Sequence, residues 1–437
     1  MKNNAIVNIA IFVWSLVIPL TAQASLTTSG VITEKEAVAK ALASNPRIAG
    51  MRSRAEAMSH IPSQAGALPD PVLSLKALNL PTDSFSTTAE NMTQLQVGLT
   101  QKVPFPGKLG LREQAANYES DSAKSDSAEM RLTIVRNVRL NWWNLFYLDR
   151  ALSVVQRNQT LLRQFVKIAE TKYKTGQGLQ SDVLLAQVEL SKLLEIEIAL
   201  KASRESQESQ LNALLNRPAD SAIEIPTNVD EALPQIPDNK PLHAQAVKSR
   251  PLLASQRSKV SASDSRIALA EKDYYPDFSL TGAYGSRNGV NPASGLARPD
   301  FASVGLSMTI PFYTGSKQDE ALGQRKAEKA REQFKLTDIM RAVDAEISTA
   351  AAHYRANHDQ ASLFKTGIIP QASQTVSSML ASYQVNKVDF LNLVRAQITL
   401  YNYETQYWKA ISSSWQAWAR LEAAVGTEIG KELIHEQ

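Results

Sequence analysis

His60, His243, His353, His358 and His435 are the side chains of this 437-residue chain best suited to hold a metal or move a proton. Their spacing supports neither role. His353 and His358 are five apart, whereas two ligands on one helix face need a separation of three or four. Met51 and Met58 lie seven apart, a spacing that suits a packed stripe as well as a soft-metal site. With no cluster at ligand spacing, neither a dedicated metal site nor a cofactor is expected. The chain has no cysteine nucleophile, no phosphate loop and no HExxH motif. Ser-His-Asp sets can be drawn from any chain this long, and nothing in the spacing gathers one. Trp142, Trp143, Trp408, Trp415 and Trp418 could stack a ligand, but their helical spacing predicts packing instead. An enzyme is therefore not expected.

What the sequence does carry is a duplication. Pro69-Asp70 recurs as Pro276-Asp277, 207 residues on, and the same offset takes Val97-Gly98-Leu99 to Val304-Gly305-Leu306 and Pro104-Phe105 to Pro311-Phe312. Further along, Tyr173, Ala186-Gln187 and Leu190 map onto Tyr383, Ala396-Gln397 and Leu400 at an offset of 210. A unit of this length is too long for a solenoid, whose repeats run about 20–50 residues. One body built from two similar halves is expected, with units at 25–216 and 242–437 joined by a Pro-, Asp- and Asn-rich linker at 217–241.

Residues 1–24 read as a secretory signal: Lys2, an apolar stretch from Ile6 to Leu20, and the small-x-small pattern Ala22-Gln23-Ala24. Losing Lys2 takes the formal charge from +4 to +3, too mild a balance to argue for nucleic acid. After residue 24 no run approaches the roughly 18 apolar residues of a membrane helix, so a membrane crossing would have to use strands.

Each unit reads helix, two strands, long helix, turn, long helix. Thr33-x-x-Glu36 is a capping box opening a helix to about His60. Strands are expected near 72–80 and 95–103, then near 278–285 and 301–310. Pro104, Pro106 and Gly107 mark the passage from strand to helix in unit one, and Pro311 and Gly315 in unit two. The helix from about Lys108 to Lys174 lacks proline and would be about 100 Å long; its partner runs from Ser181 to about Asn216. In unit two a helix at about Pro241–Lys272 precedes the strands and a long helix starts near Ser316. Val135, Val138, Trp142, Leu145 and Leu152 follow heptad spacing, as do Leu391, Val394, Ile398, Tyr401, Trp408 and Trp415.

The strands alternate. Leu95, Val97 and Leu99 oppose Gln94, Gln96, Gly98 and Thr100, a pattern of a half-buried soluble sheet or a barrel wall, with alternation alone favouring the first. The long helices favour the second, since four strands do not serve helices of that length in a compact globule. Four strands cannot close a barrel, so closure needs several chains: two give eight strands and three give twelve.

In this order of motifs the chain resembles the TolC-type outer-membrane efflux proteins over essentially its whole mature length, including the Tyr-x-x-Gly turn at Tyr173–Gly176. Leu68-Pro69-Asp70-Pro71, Asn79-Leu80-Pro81 and Pro104-Phe105-Pro106-Gly107-Lys108-Leu109 are most similar to the CzcC/CusC heavy-metal subgroup. The resemblance implies a mainly α fold with a small β part: a trimeric outer-membrane β-barrel, four strands per chain, continued by a periplasmic coiled-coil tunnel. It implies a passive duct for heavy-metal cations, working with a periplasmic adaptor and an inner-membrane pump of the RND type, with outer-membrane lipid around the barrel. Drug efflux and type I protein secretion are the neighbouring readings, and a soluble periplasmic coiled-coil scaffold is the rival from another class.

The resemblance also places a gate at the periplasmic helix turns. The family's Asp–Tyr latch falls on Asp182, after Ser181, and on Tyr383. The residues alone also fit Asp182 as a helix N-cap and Tyr383 as packing. The family's latch arginine falls on Val388, next to Lys387, and the second turn's glycine is Asn386, opposite Gly176 in the first. Asparagine is the common non-glycine choice at positive φ. The acidic ring positions of well-known members are Asn392 and Arg395 here, so no cation-attracting ring is expected at that level.

Overall fold

The computed structural model describes residues 30–429. The signal-like segment 1–24 and His435 lie outside the described residues.

The first unit begins with three short helices where the sequence suggested one: α1 (Glu34–Ser44), α2 (Pro46–Ser59) and α3 (Ile61–Gly66). Proline disfavours the α region in the residue before it. Asn45 is accordingly extended (φ −69°, ψ 122°), and its side chain accepts from Arg47 N to cap the next helix. The Thr33/Glu36 capping box is formed in full. Strands β1 (Val72–Leu78) and β2 (Gln94–Val103) follow, then α4 (Lys108–Lys174) and α5 (Gln180–Leu214).

The second unit repeats the order. Arg250, ahead of Pro251, is extended like Asn45 and divides the expected single helix into α6 (Asn239–Ser249) and α7 (Pro251–Lys272). Next come β3 (Asp277–Ser286), β4 (Phe301–Thr309) and α8 (Gln318–Leu363), which starts slightly later than expected. A π-helical turn at Phe364–Ile368 joins α8 to α9 (Ile369–Gln384), and α10 (Phe390–Val425) completes the chain. The π turn ends two residues before Pro370, which has no N–H to give back to the preceding turn. The linker is no loose tether: Ile223 is buried, and Ile225, Val229 and Leu233 pack against the helical core.

The helices pack along their length rather than into a globule. One core gathers Ile134, Val138, Trp142, Trp143, Leu145 and Phe146 of α4 with Tyr407, Ala410 and Ile411 of α10. Trp143 stacks on Trp415 at 5.2 Å, so these indoles serve helix packing. The buried stripe is slightly rotated from the expected heptads: Ile134 and Val155 are buried where Val135 and Leu152 are only half-buried, and Leu391 is exposed. An α-helix of 3.6 residues per turn drifts off a strict seven-residue repeat unless it supercoils fully.

The four strands form one antiparallel sheet in the order β1-β2-β3-β4. Val72 pairs with Thr100 in the first hairpin and Ser279 with Ser307 in the second. Each residue of the second pair lies 207 after its counterpart, so the duplication extends to the hairpin register. Register also sorts the faces. Leu73, Leu75, Leu95, Val97, Leu99, Leu280, Val304, Leu306 and Met308 share one face, while Ser74, Gln96, Thr100, Thr281, Ser303 and Ser307 share the other. The half-buried soluble sheet that alternation alone favours is not formed, in keeping with the barrel wall expected from the long helices: the apolar face is left uncovered, with Leu75 at 75 % and Val304 at 84 % exposure. No described helix is long and apolar enough to cross a membrane, whereas strands of 7–10 residues with an outward apolar face match a barrel wall.

At the strand-to-helix passage, Pro104 and Pro106 interrupt the ladder after Val103, and Gly107 adopts φ +92° ahead of α4. The buried Lys108 ammonium sits 3.0 Å from both Asp273 and Asp277, which ties the start of α4 to the second unit. Pro311 ends β4, and Gly315 lies in the exposed turn before α8.

Candidate functional site: the helix-turn tip

At the end farthest along the helices from the sheet, two turns lie side by side: α4–α5 and α9–α10. Their backbones are closed by the same bonds. Gln177 N donates to Lys172 O at 2.8 Å, and Lys387 N donates to Ser382 O at 2.9 Å. Gly176 N and Asn386 N donate to Tyr173 O and Tyr383 O at 3.1 and 3.2 Å. Such closures need a left-handed residue after the helix. Gly176 supplies φ +72° and Asn386 φ +58°, so the asparagine performs the glycine's backbone task.

The structure brings Asp182 and Tyr383 together: the Tyr383 hydroxyl donates to Asp182 Oδ2 at 3.4 Å. Asp182 is not an N-cap. It lies in the first turn of α5, whose N-cap is Leu179, where its charge complements the helix dipole. Tyr383 is 5 % exposed and packs against Phe390 at 5.1 Å within a core that includes Phe165, Ala169 and Leu393. Burial, then the neighbouring Asp182 carboxylate, pushes the Tyr383 phenol up to about 12. The phenol is therefore a donor throughout the neutral range.

The cation of the cluster is one the sequence reading missed. Lys172, near the end of α4, is buried, and its ammonium lies 4.3 Å from the centre of the Tyr383 ring. It donates to Tyr383 O and to Asn386 Oδ1. Lys387, which adjoins the family's arginine position, is instead exposed, as are Ser181, Asn392 and Arg395. None of these four side chains joins the cluster. A clue was available in the Asn at the glycine position, since a side-chain carbonyl there invites a donor from the facing turn.

Among the described residues no three His, Asp or Glu side chains converge on a metal-sized space. The structure does bring together one Ser-His-Asp set that spacing did not reveal. His243 Nδ1 faces Asp344 Oδ1 at 2.8 Å and its Nε2 faces Ser348 Oγ at 3.4 Å. Ser348 and Asp344 both sit within α8, where backbone N–H groups are committed to the helix. The helix backbone beside Ser348 therefore offers no free donors for an oxyanion.

The comparisons with known proteins decide the wider identity. The family model described as outer membrane efflux protein matches residues 37–217 and 242–427. The chain belongs to this outer membrane efflux protein family. It is similar to the cobalt-zinc-cadmium resistance protein CzcC of Cupriavidus metallidurans, with 21 % identity over 399 residues covering 91 % of each chain. Its fold is similar to that of the outer membrane protein VceC of Vibrio cholerae (TM-score 0.76, 18 % identity, 90 % of this chain and 96 % of that one). It is equally similar in fold to CusC (TM-score 0.76, 16 % identity, 90 % and 92 %).

Membership of this family makes the protein an outer-membrane efflux channel, with a small barrel sheet and a long periplasmic helical part, and not an enzyme. It also removes the soluble-scaffold alternative. The uncovered apolar face of the sheet suits contact with lipid, and the Ser-, Thr- and Gln-bearing face suits the lumen side of such a channel.

Proposed function

We propose that three copies of this chain close a twelve-stranded barrel and form a duct that carries heavy-metal cations out of the cell. The duct docks through its periplasmic tip on an adaptor protein, and an inner-membrane pump of the RND type supplies the energy. The observation that carries the metal assignment is the likeness to a cobalt-zinc-cadmium resistance protein along 91 % of both chains. Closure by several copies is supported by a sheet with two unpaired edge strands, β1 and β4, since four strands cannot close alone, and family membership supports the number three.

The tip acts as the gate. In this reading the bond from Tyr383 to Asp182 and the grip of Lys172 on the second turn hold the two helix pairs together in the closed state. Opening requires the pairs to separate, which breaks the Tyr383 bond and exposes Lys172.

The substrate is tested by a tolerance profile of a deletion strain across copper, silver, zinc, cobalt, cadmium and nickel, with a drug panel alongside. Sensitivity to one or a few metals, restored by the intact gene, is the expected result. Sensitivity confined to drugs or to loss of a secreted protein would keep the channel and discard the metal assignment.

A further inference from the structure

The polar face of the sheet and one side of the helices below it form a continuous surface. Helices α2, α4, α7 and α8 pack side by side in that order. Two cavities of about 370 Å³ each open on them. The first touches all four helices, through Arg54, Glu119, Gln256 and Glu328, and the second shares Glu119 and Arg266 with it. Side chains from every member of a curved layer converge only on its concave side. Lys108 links that side to the sheet. Its ammonium holds both Asp273, which lines the second cavity, and Asp277, which lies on the polar face opposite Thr309.

This surface has more positive than negative charge at each level. Seven basic and five acidic side chains line the two cavities. Every one of the acids is ion-paired: Glu119 with Arg266, Asp126 with Lys259, Glu328 with Arg325, Glu332 with Arg331 and Lys335, and Asp273 with Lys108. Arg54 and Arg112 are left over, both exposed and without an ion-pair partner among the described residues. On the polar face of the sheet the charged side chains are Lys76, Lys102 and Asp277. Lys108 neutralises Asp277, while Lys76 and Lys102 are exposed and unpaired among the described residues. At the tip, Lys174, Lys387 and Arg395 are exposed against Asp389, and Asp182 is engaged by Tyr383.

We infer that the open duct selects anions over cations, and that a bare dication is the cargo its wall favours least. The inference rests on the duct proposed above, in which the polar strand face and the concave helix side turn to the axis, and it adds the ion selectivity of that duct. Basic side chains around a pore raise the local concentration of anions and repel cations. Repeating Lys76, Lys102, Arg54 and Arg112 in every copy multiplies the excess, whereas the paired acids contribute little field of their own. A metal cation would then pass together with small anionic ligands, such as chloride or carboxylates, that lower or reverse its charge.

Single channels of the full chain in planar bilayers, under a gradient of potassium chloride, read the selectivity as the sign of the reversal potential. In dilute salt chloride should be at least about twofold more permeant than potassium. The preference should fade in concentrated salt, because the screening length falls from about 30 Å at 0.01 M to about 3 Å at 1 M. Magnesium chloride in place of potassium chloride should strengthen it, since a dication is repelled more. Lys76→Glu with Lys102→Glu should shift the preference toward cations. Lys76→Gln with Lys102→Gln, and separately Arg54→Gln, should bring the ratio toward one, and these milder variants decide the matter if the Glu pair does not assemble. A wild-type channel that prefers potassium would overturn the inference. So would a chloride preference that neither the lysine nor the Arg54 variants alter. Wild-type and Tyr383→Phe proteins that both fail to conduct would remove the duct itself, and the inference with it.

Discussion

Replacing Tyr383 with Phe isolates the hydroxyl of the tip latch. The ring, its contact with Phe390 and the Lys172 ammonium over its face all remain. A hydrogen bond to a charged acceptor is typically worth about 1.5–3 kcal/mol. At 3.4 Å this one is longer than the roughly 2.5–3.0 Å of a good O–H···O bond, which places it nearer ~1 kcal/mol. Asp182 is only partly buried, so loss of the donor leaves it able to take up water and adds little further penalty. Three latches that open together then amount to about 3 kcal/mol, or about a hundredfold in the ratio of open to closed states at 1.36 kcal/mol per decade. Single-channel recording in planar bilayers reads that ratio, and Tyr383→Phe should raise the open fraction accordingly. The same experiment has a pH arm. Because the phenol is raised from 10.0 to about 12, its contribution to the closed state is complete below the ordinary phenol value and is lost as pH climbs through the raised one. The wild-type tip should therefore loosen only in strong alkali, and the Phe variant should lack that transition. An open fraction unchanged by Tyr383→Phe would refute the latch while leaving the channel intact.

Lys172→Met should also raise the open fraction, because it removes the donor to Tyr383 O and Asn386 Oδ1; Asn386→Asp, which offers Lys172 a full charge at a position tolerant of positive φ, should lower it. Val304→Arg places a charge on the lipid face near the middle of β4 and should cost about 2–4 kcal/mol of membrane stability, whereas Ser303→Arg on the lumen face should be tolerated; heat-stability of the assembled protein in outer-membrane extracts distinguishes them. Trp143→Ala removes a buried indole that stacks on Trp415 and donates to Glu34 Oε2 at 3.0 Å, and should lower stability by about 3–5 kcal/mol, read as a shift in denaturant midpoint.

The parts of the fold legible in the sequence are those fixed by local rules. Proline and the two-residue alternation located all four strands, and the absence of proline located α4 from Lys108 to Lys174. The breaks at Asn45 and Arg250 follow an equally local rule, the restriction on a residue before proline, but the surrounding helical pattern masked it. The choice between a half-buried and a lipid-facing sheet was beyond alternation, because both give the same period. The long helices favoured the lipid-facing sheet, and the lack of any layer over Leu75 and Val304 agrees with them. The Asp182–Tyr383 pairing came through family likeness, since residues so far apart in sequence share no local signal.

Lys172 shows why the remainder of the site was not readable. As one of two basic residues in the last turn of α4, it looks like an ordinary complement to the helix dipole. Its position under the Tyr383 ring depends on how the α4–α5 pair lies against α9–α10, a tertiary fact. The exposed positives Lys387 and Arg395 remain outside the cluster. The tip thus uses its buried cation to hold the turns together and presents its other cations to solvent. In the proposed gate, Asn392 and Arg395 take the acidic-ring positions that the family resemblance implies, and such a duct has no reason to concentrate cations there. In the metal-efflux reading, choice among metals therefore belongs to the pump that feeds the duct, and the tip's own chemistry is that of closure.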